Sequence, residues 1–140
     1  MQFHTLSLLL IFLSRQFFLH LTNESYKKTS SKFEIIADWI LSNCENIPNI
    51  STITKKFDIT TSYLNHLFNS YYHCSTMKFL HDAKISKAKD MLLTTNLLVK
   101  EISFYLNFNS EKYFMRLFKE ETGYTPTEYR NLFFLRNHHI

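Results

Sequence analysis

A chain of 140 residues is long enough for one ordinary domain, or for two very small ones that share a core. One glycine and two prolines disfavour a fold rich in sheets and turns, and they favour helices joined by compact connections. The net charge of +4, from 16 Lys and Arg against 12 Asp and Glu, suits an anionic partner but does not require one. We therefore predict an all-α fold, and charge alone does not assign its function.

The sequence lacks the residue patterns of an enzyme or of a metal site. No carboxylate pair, Ser-His-Asp set or phosphate-binding loop has credible spacing, so we predict no catalytic residues and no cofactor. His73, Cys74 and His81 would need a fourth metal ligand that is missing, and no metal is predicted. The other cysteine, Cys44, ends an apolar helix face, and two cysteines without a pairing motif are typical of a reducing cytoplasm.

The most apolar segment runs from Leu6 to Leu21. Its uninterrupted part, residues 8–13, is too short to span a membrane, and Arg15 and His20 interrupt its extension. A signal peptide would need early positive charge and a small-residue cleavage site, and no Ala-x-Ala sequence follows. We favour a helix that docks on the chain's own core or on a partner, with a signal peptide as the alternative. The polar run from Thr22 to Ser31 is predicted to be a linker.

Two helices are predicted between residues 31 and 57. Ser31 opens the first, with Glu34 as its capping-box partner, and this helix should end before Pro48. Its apolar stripe comprises Phe33, Ile36, Trp39 and Ile40. The second is predicted from about Ile50 to Phe57.

A third short helix and a long helix come next. Thr60 caps the short one, which continues to about Tyr72, and His73 is expected to be a strained connection. The long helix is predicted over residues 75–93, with one apolar face formed by Met77, Leu80, Ile85, Ala88, Met91 and Leu92. Lys84 lies at the edge of that face, and we expect its ammonium group to reach a carboxylate or a phosphate.

Residues 97–130 have the layout of a helix-turn-helix followed by a further helix. The first helix face comprises Val99, Ile102, Ser103 and Leu106. Asn107 can adopt the left-handed backbone that stops a helix, and Asn109 or Ser110 can cap the next one. That next helix is predicted to end at Gly123 and to bury Tyr113, Phe114, Leu117 and Phe118.

The same layout occurs earlier in the chain. Ile53, Phe57 and Ile59 match Ile102, Leu106 and Phe108 at one offset, whereas Tyr63, Leu64, Leu67 and Phe68 match Tyr113, Phe114, Leu117 and Phe118 at an offset longer by one. Ser75 and Phe79 then match Thr125 and Tyr129. Thr125 is the predicted N-cap of a further helix, with Pro126 at its first position and Glu128 completing a capping box. A duplicated helix-turn-helix with one extra residue in its second turn is predicted.

For a helix in a DNA major groove, the useful side chains are exposed ones near its N-terminus. The outward residues of the two units are Thr61, Ser62, Asn65, His66 and Asn69, and Glu111, Lys112, Met115, Arg116 and Lys119. Asn65 could pair with adenine and Ser62 could approach several base edges. Arg116 could bind guanine, Glu111 could accept from cytosine, and Met115 could pack on a thymine methyl group.

From about Phe33 to Arg130 the chain resembles the DNA-binding module of AraC/XylS-type transcription regulators. The second unit carries that family's motif as Val99-Lys100-Glu101-Ile102-Ser103, Asn107-Phe108, Tyr113-Phe114, Phe118-Lys119 and Gly123-Tyr124-Thr125-Pro126-Thr127-Glu128-Tyr129-Arg130. The first unit and the long helix carry Ser62-Tyr63-Leu64, Leu67-Phe68, Phe79-Leu80 and Ala88.

The resemblance implies two helix-turn-helix units on one linker helix, which read neighbouring major-groove segments of a promoter. It implies a DNA-binding domain at residues 32–135, with units at about 50–73 and 97–122 and the linker helix at about 75–93. By that likeness the base-reading positions are Ser62, Asn65 and His66 in the first unit, and Glu111, Lys112, Met115 and Arg116 in the second.

The sequence departs from the family pattern at several packed or turning positions. Asp58, His73 and Asn107 replace glycines, Thr54 and Ser103 replace alanines, and Lys84 replaces a common arginine. Family members normally carry a large effector-binding or dimerising domain ahead of this module, whereas about thirty residues precede it here. Residues 1–21 are therefore either the end of such a domain or the start of a naturally short member.

Two functions from different classes fit these observations. The first is a sequence-specific DNA-binding transcription regulator, an activator by family likeness, with double-stranded DNA as partner and RNA polymerase as a candidate partner. The alternative is an interaction module whose apolar N-terminal helix docks on a protein or membrane surface, with vestigial DNA binding. Monomeric and dimeric states are both open, no membrane span is predicted, and the expected location is the cytoplasm.

Overall fold

The structure of the protein is a computed structural model that describes residues 24–137. Within those residues it contains one 3-10 helix, seven α-helices and no strand, which confirms the all-α prediction. The elements are α1 (Glu24–Asn43), the 3-10 helix (Cys44–Asn46), α2 (Ile50–Phe57), α3 (Thr61–Tyr72), α4 (Thr76–Thr94), α5 (Val99–Tyr105), α6 (Glu111–Thr122) and α7 (Pro126–Asn137). The helix predicted for residues 6–21 lies outside the described residues.

Helix α1 begins earlier than the sequence pattern indicated. The linker predicted for residues 22–31 is wrong from Glu24 onward, and Ser31 lies inside the helix instead of capping it. No glycine or proline interrupts this segment, so no residue in it breaks the helix. The helix ends at Asn43, before Pro48, as predicted.

The chain divides into two compact units between Trp39 and Ile40, within α1. Of the apolar stripe predicted on this helix, Phe33, Ile36 and Ile40 are buried. Trp39 is only half-buried, which is common for so large a side chain. Cys44, in the 3-10 helix that follows, is a buried free thiol, and burial raises its pKa.

Helix α4 is buried on two sides and not on one face alone, although Leu80, Ile85, Ala88 and Leu92 of the predicted face are buried. Near the N-terminus of α4, the centroid of the Phe79 ring lies 4.9 Å from the centroid of the Phe68 ring in α3. Near its C-terminus, Leu92 belongs to the core of the second helix-turn-helix. Phe79 and Leu92 project about 140° apart around the helix axis, at 3.6 residues per turn. Because each helix-turn-helix packs on its own side, Met77 is left 39% exposed.

The core of the second helix-turn-helix joins α4 to α5 and α6. It consists of Ile85, Ala88, Leu92, Ile102, Leu106, Phe114, Leu117 and Phe118. Tyr113, which was predicted to be buried with them, is half-buried and packs against this core. Among the helices of the described residues, none is both long enough and apolar enough to cross a membrane.

Candidate nucleic-acid interface

The turn of each helix-turn-helix unit contains one non-glycine residue with a left-handed backbone. Asp58 and Asn107 have φ angles of 49° and 54°, the left-handed region in which Asn and Asp are tolerated better than most residues. The amide of Ile59 donates to the Thr54 carbonyl at 3.1 Å, and the amide of Phe108 donates to the Ser103 carbonyl at 3.0 Å. Each bond satisfies a carbonyl at the end of the preceding helix. The duplication predicted from sequence therefore extends to the hydrogen bonds of the turns.

The second helix of each unit starts and ends in the same way. Thr60 Oγ1 accepts from the Tyr63 amide at 3.2 Å, and Ser110 Oγ accepts from the Tyr113 amide at 3.1 Å. Both helices end at a left-handed residue, His73 with φ 54° and Gly123 with φ 82°. The buried residues are Leu64, Leu67 and Phe68 in α3 and Phe114, Leu117 and Phe118 in α6. Since caps and buried residues are spaced equally, the outward faces of the two helices are also equivalent.

The outward face of α3 is almost free of charge. Thr61, Ser62, His66 and Asn69 are exposed, as predicted. Asn65 is half-buried, and its Oδ1 accepts from the amide of Thr76, the first residue of α4, at 3.3 Å. A bidentate pairing of Asn65 with adenine would have to share that oxygen. The sequence did not indicate this second role, because it depends on how α4 packs beside α3.

The outward face of α6 carries most of the charge. Lys112, Met115, Arg116 and Lys119 are exposed, whereas Glu111 is half-buried in the first turn of the helix. Arg116 Nη1 lies 2.9 Å from Glu120 Oε1, and its guanidinium group lies 5.3 Å from the centroid of the Tyr113 ring. An ion pair this exposed contributes little to stability, so exchanging Glu120 for a nucleic-acid partner costs little.

Lys84 holds the turn of the second unit, and its predicted carboxylate or phosphate partner is wrong. Its side chain is buried, and Nζ donates to the backbone carbonyl of Asn107 at 3.0 Å. Nζ also lies 5.3 Å from the centroid of the Phe108 ring. Burial lowers the pKa of Lys84 to about 8, because no carboxylate compensates the cost of removing the charge from water. At 3.6 residues per turn Lys84 lies between Met91 and Ala88, within the predicted apolar face, so its placement at the edge of that face was wrong.

Two further side chains fix the second unit against the linker helix. Lys78 Nζ lies 2.5 Å from Glu121 Oε1, near the end of α6, and 2.6 Å from Asp82. Burial alone would lower the pKa of Lys78, but these two carboxylates outweigh it and raise the pKa. From α7, Arg130 donates to the carbonyls of Leu92 and Leu97 at 3.0 and 2.6 Å. Arg130 ends the sequence motif, but only the fold brings it to the end of α4.

The third helix of the motif starts as its capping box predicts. The Thr125 amide donates to Glu128 Oε2 at 2.8 Å, and the Glu128 amide donates to Thr125 Oγ1 at 3.2 Å. This reciprocal pair lowers the pKa of Glu128, chiefly through the bond from the Thr125 amide. At the matching position of the first unit, Ser75 Oγ accepts from the Lys78 amide at 3.1 Å.

Comparison with known proteins also identifies a helix-turn-helix domain in this chain. A family profile described as a helix-turn-helix domain matches residues 53–132, more than half of the chain. The curated relatives that carry this module include AraC-type regulators. The chain belongs to the AraC/XylS-type family.

Its curated relatives match most of this chain but differ in how much of their own length is covered. The arabinose operon regulatory protein of Escherichia coli is 32% identical over 82 residues, which cover 59% of this chain and 28% of that protein. An uncharacterized regulator of E. coli, YijO, is 29% identical over 107 residues, covering 76% of this chain and 38% of YijO. The chain thus spans well under half the length of either protein. The regulatory protein SoxS of Salmonella typhimurium is 26% identical and is covered over 92% of its length.

Solved structures have the same fold. The DNA-binding domain of AdpA in complex with a target DNA superposes with a TM-score of 0.70 and 18% identity, covering 77% of this chain and 97% of that one. The C-terminal domain of the response regulator yesN from Fusobacterium nucleatum superposes with a TM-score of 0.62 and 29% identity, covering 69% of this chain and 95% of that one. AraC-type regulators are not a class of enzymes, and these relatives do not favour the alternative of an interaction module.

Proposed function

We propose that this chain binds double-stranded DNA sequence-specifically and regulates transcription, with α3 and α6 as two recognition helices in adjacent major-groove segments. The observation that carries this proposal is the equivalence of the two outward faces. On both helices, the first, second, fifth, sixth and ninth residues after the N-caps Thr60 and Ser110 lie opposite the buried residues. Repeated exposure of polar side chains at the start of a helix suits contacts to base edges.

The two helices would contribute differently. On α6, Lys112, Arg116 and Lys119 supply positive charge for phosphates and a guanidinium group for guanine. On α3, the neutral side chains of Thr61, Ser62 and Asn69, together with His66, supply hydrogen bonds without a fixed charge. We therefore infer that α6 accounts for most of the salt dependence of binding, whereas α3 contributes mainly selectivity.

The regulatory role rests on the relatives. The arabinose operon regulatory protein is named for the operon it controls, and we propose that this chain likewise acts at a promoter, as an activator that contacts RNA polymerase. The DNA-binding domain would comprise residues 32–135, with units at 50–73 and 97–122 and the linker helix at 75–93. Binding to a promoter would place its action in the cytoplasm.

Selection of bound duplexes from a random DNA pool tests this function without a known promoter. The full chain should enrich a bipartite sequence whose two blocks are centred about 10 base pairs apart, one turn of the duplex. The selected duplex should bind at least about a thousandfold more tightly than unselected DNA at the same salt concentration. A pool that shows no enriched sequence after repeated rounds would contradict the proposal.

A further inference from the structure

Asn107, in the second turn, joins three segments that are distant in sequence. Its side-chain Nδ2 donates to the backbone carbonyl of Glu45, 62 residues earlier in the 3-10 helix, at 2.6 Å. Its own backbone carbonyl accepts from Lys84 of the linker helix at 3.0 Å. The Glu45 carboxylate in turn lies 2.9 Å from Lys87 Nζ, one turn further along the same linker helix. That pair lowers the pKa of Glu45, mainly through the hydrogen bond from Lys87.

The 3-10 helix leads directly into the first helix-turn-helix. Only three residues separate its last residue, Asn46, from Ile50, the first residue of α2. Asn49, one of the three, caps α2 with its side chain at 3.3 Å. The bond from Asn107 to Glu45 therefore connects the entrance of the first unit to the turn of the second. This connection is additional to the continuous helix α4 that joins the two units.

The matching residue of the first turn makes no such connection. Asp58 has almost the same φ as Asn107, and among the described residues its exposed side chain makes no hydrogen bond. Glycine adopts this left-handed backbone with less strain than either residue. Backbone strain alone would therefore favour glycine at both positions. What asparagine adds at position 107, and glycine would not, is the side-chain bond to Glu45.

We propose that Asn107 is a positioning residue that sets the angle between the two recognition helices, and thereby the spacing between the two DNA blocks that the chain accepts. This rests on the proposed function, since only a protein with two DNA-reading helices has a spacing to define. One base pair of extra spacing moves a block by about 3.4 Å and rotates it by about 35°. A fixed inter-unit angle makes such a shift costly, because the two helices no longer reach both blocks without strain.

The DNA test uses Asn107→Gly, with Asp58→Gly as the matched control. Both variants relieve a left-handed residue at the same place in a turn, but only the first removes an inter-unit bond. Affinity is measured for the selected duplex and for duplexes with one base pair inserted or removed between the blocks. We expect Asn107→Gly to bind the selected duplex about three- to tenfold more weakly and to lose most of its preference for that spacing. Asp58→Gly should bind like the wild type.

A measurement without DNA separates this inference from the proposed function. Amide residual dipolar couplings from α3 and α6 report the relative orientation of the two helices in the free full chain. We expect Asn107→Gly to alter the relative orientation or reduce its order, while Asp58→Gly leaves both unchanged. If wild-type DNA binding shows no second block, the proposed function fails, and these couplings still decide the inference. Identical couplings in the wild type and Asn107→Gly, or an unchanged spacing preference, would overturn it.

Discussion

The ammonium group of Lys84, in the middle of the linker helix, lies 3.0 Å from the backbone carbonyl oxygen of Asn107 in the second turn. The lysine is only 2% exposed, and its other close neighbour is the ring of Phe108. A carbonyl dipole and an aromatic face thus compensate the charge in place of a carboxylate. Burial outweighs this partial compensation and lowers the pKa of Lys84 from 10.5 to about 8.

Lys84→Met should change how the stability of the protein depends on pH. Between about pH 8 and 10.5 the unfolded chain binds more protons at this lysine than the folded chain does. The free energy of unfolding should therefore rise with pH across that window, by up to about 3 kcal/mol from Lys84. Below pH 8 both states are protonated, and the contribution is constant.

Urea unfolding at pH 7 and at pH 10 checks this prediction. The difference in the free energy of unfolding between Lys84→Met and the wild type should become less favourable to the variant as the pH rises. Burial, the largest cause of the shifted pKa values of His81 and Cys44, is present in both proteins, whereas Lys84 is a smaller cause that only the variant loses. A difference that is the same at both pH values would show that Lys84 does not carry a buried charge.

Asn65→Ala should destabilise the fold as well as weaken DNA binding. The substitution removes the side-chain oxygen that accepts from the Thr76 amide. Thr76 is fully buried, so its amide would lose this partner away from water. The expected loss is about 1–2 kcal/mol in the free energy of unfolding. Asn69→Ala, one turn along the same outward face, is the control, because Asn69 is exposed. Thermal unfolding that ranks the two variants equally would contradict the role assigned to Asn65.

Arg116→Ala and Lys119→Ala should separate base reading from charge attraction. Arg116 is expected to contact one base pair, so its loss should cost about 1–3 kcal/mol on the selected duplex and relax preference at that position. Lys119 lies three residues further along α6 and should contact the backbone, so its loss should weaken all duplexes about equally and reduce the salt dependence. Binding is measured across single-base-pair changes at fixed salt. Uniform weakening by Arg116→Ala would show that α6 does not read bases.

Deleting residues 1–21 should leave DNA binding unchanged within about twofold. The deleted segment precedes residues 53–132, which match the helix-turn-helix family, and it contains none of the proposed contacts. We expect the deletion to alter solubility or self-association, because its sequence is the most apolar in the chain. Anisotropy titrations and light scattering measure the two effects. Lost DNA binding with intact helicity would give this segment a direct role in the interface.

The turns and caps could be predicted because local chemistry determines them. The backbone bonds of the turn at Asn107, the Ser110 cap and the Thr125–Glu128 pair each join groups within five residues of one another. The repeat then gave the prediction an independent check, since a second copy with matching apolar positions on both sides of its turn is rare by chance. Local periodicity also predicted the buried residues of α3 and α6, with the exception of Tyr113, which is half-buried.

Features that depend on distant packing could not be predicted. The two buried sides of α4 belong to two different units, and a single-helix pattern averages them into one face. That error left Met77 buried in the prediction. The bond from Asn65 to Thr76 likewise depends on the approach of α4 to α3. The start of α1 at Glu24 was missed for another reason: polar residues without an apolar stripe still favour a helix when nothing breaks it.

Hydroxyl-radical footprinting of the full chain on the selected duplex tests the central claim most directly, namely that α3 and α6 read two neighbouring major-groove segments. Two protected blocks should appear about 10 base pairs apart on one face of the duplex, roughly 34 Å between centres. Arg116→Ala should weaken protection at one block and leave the other in place. A single protected block in the wild type, or loss of both blocks together at every protein concentration in Arg116→Ala, would contradict the account.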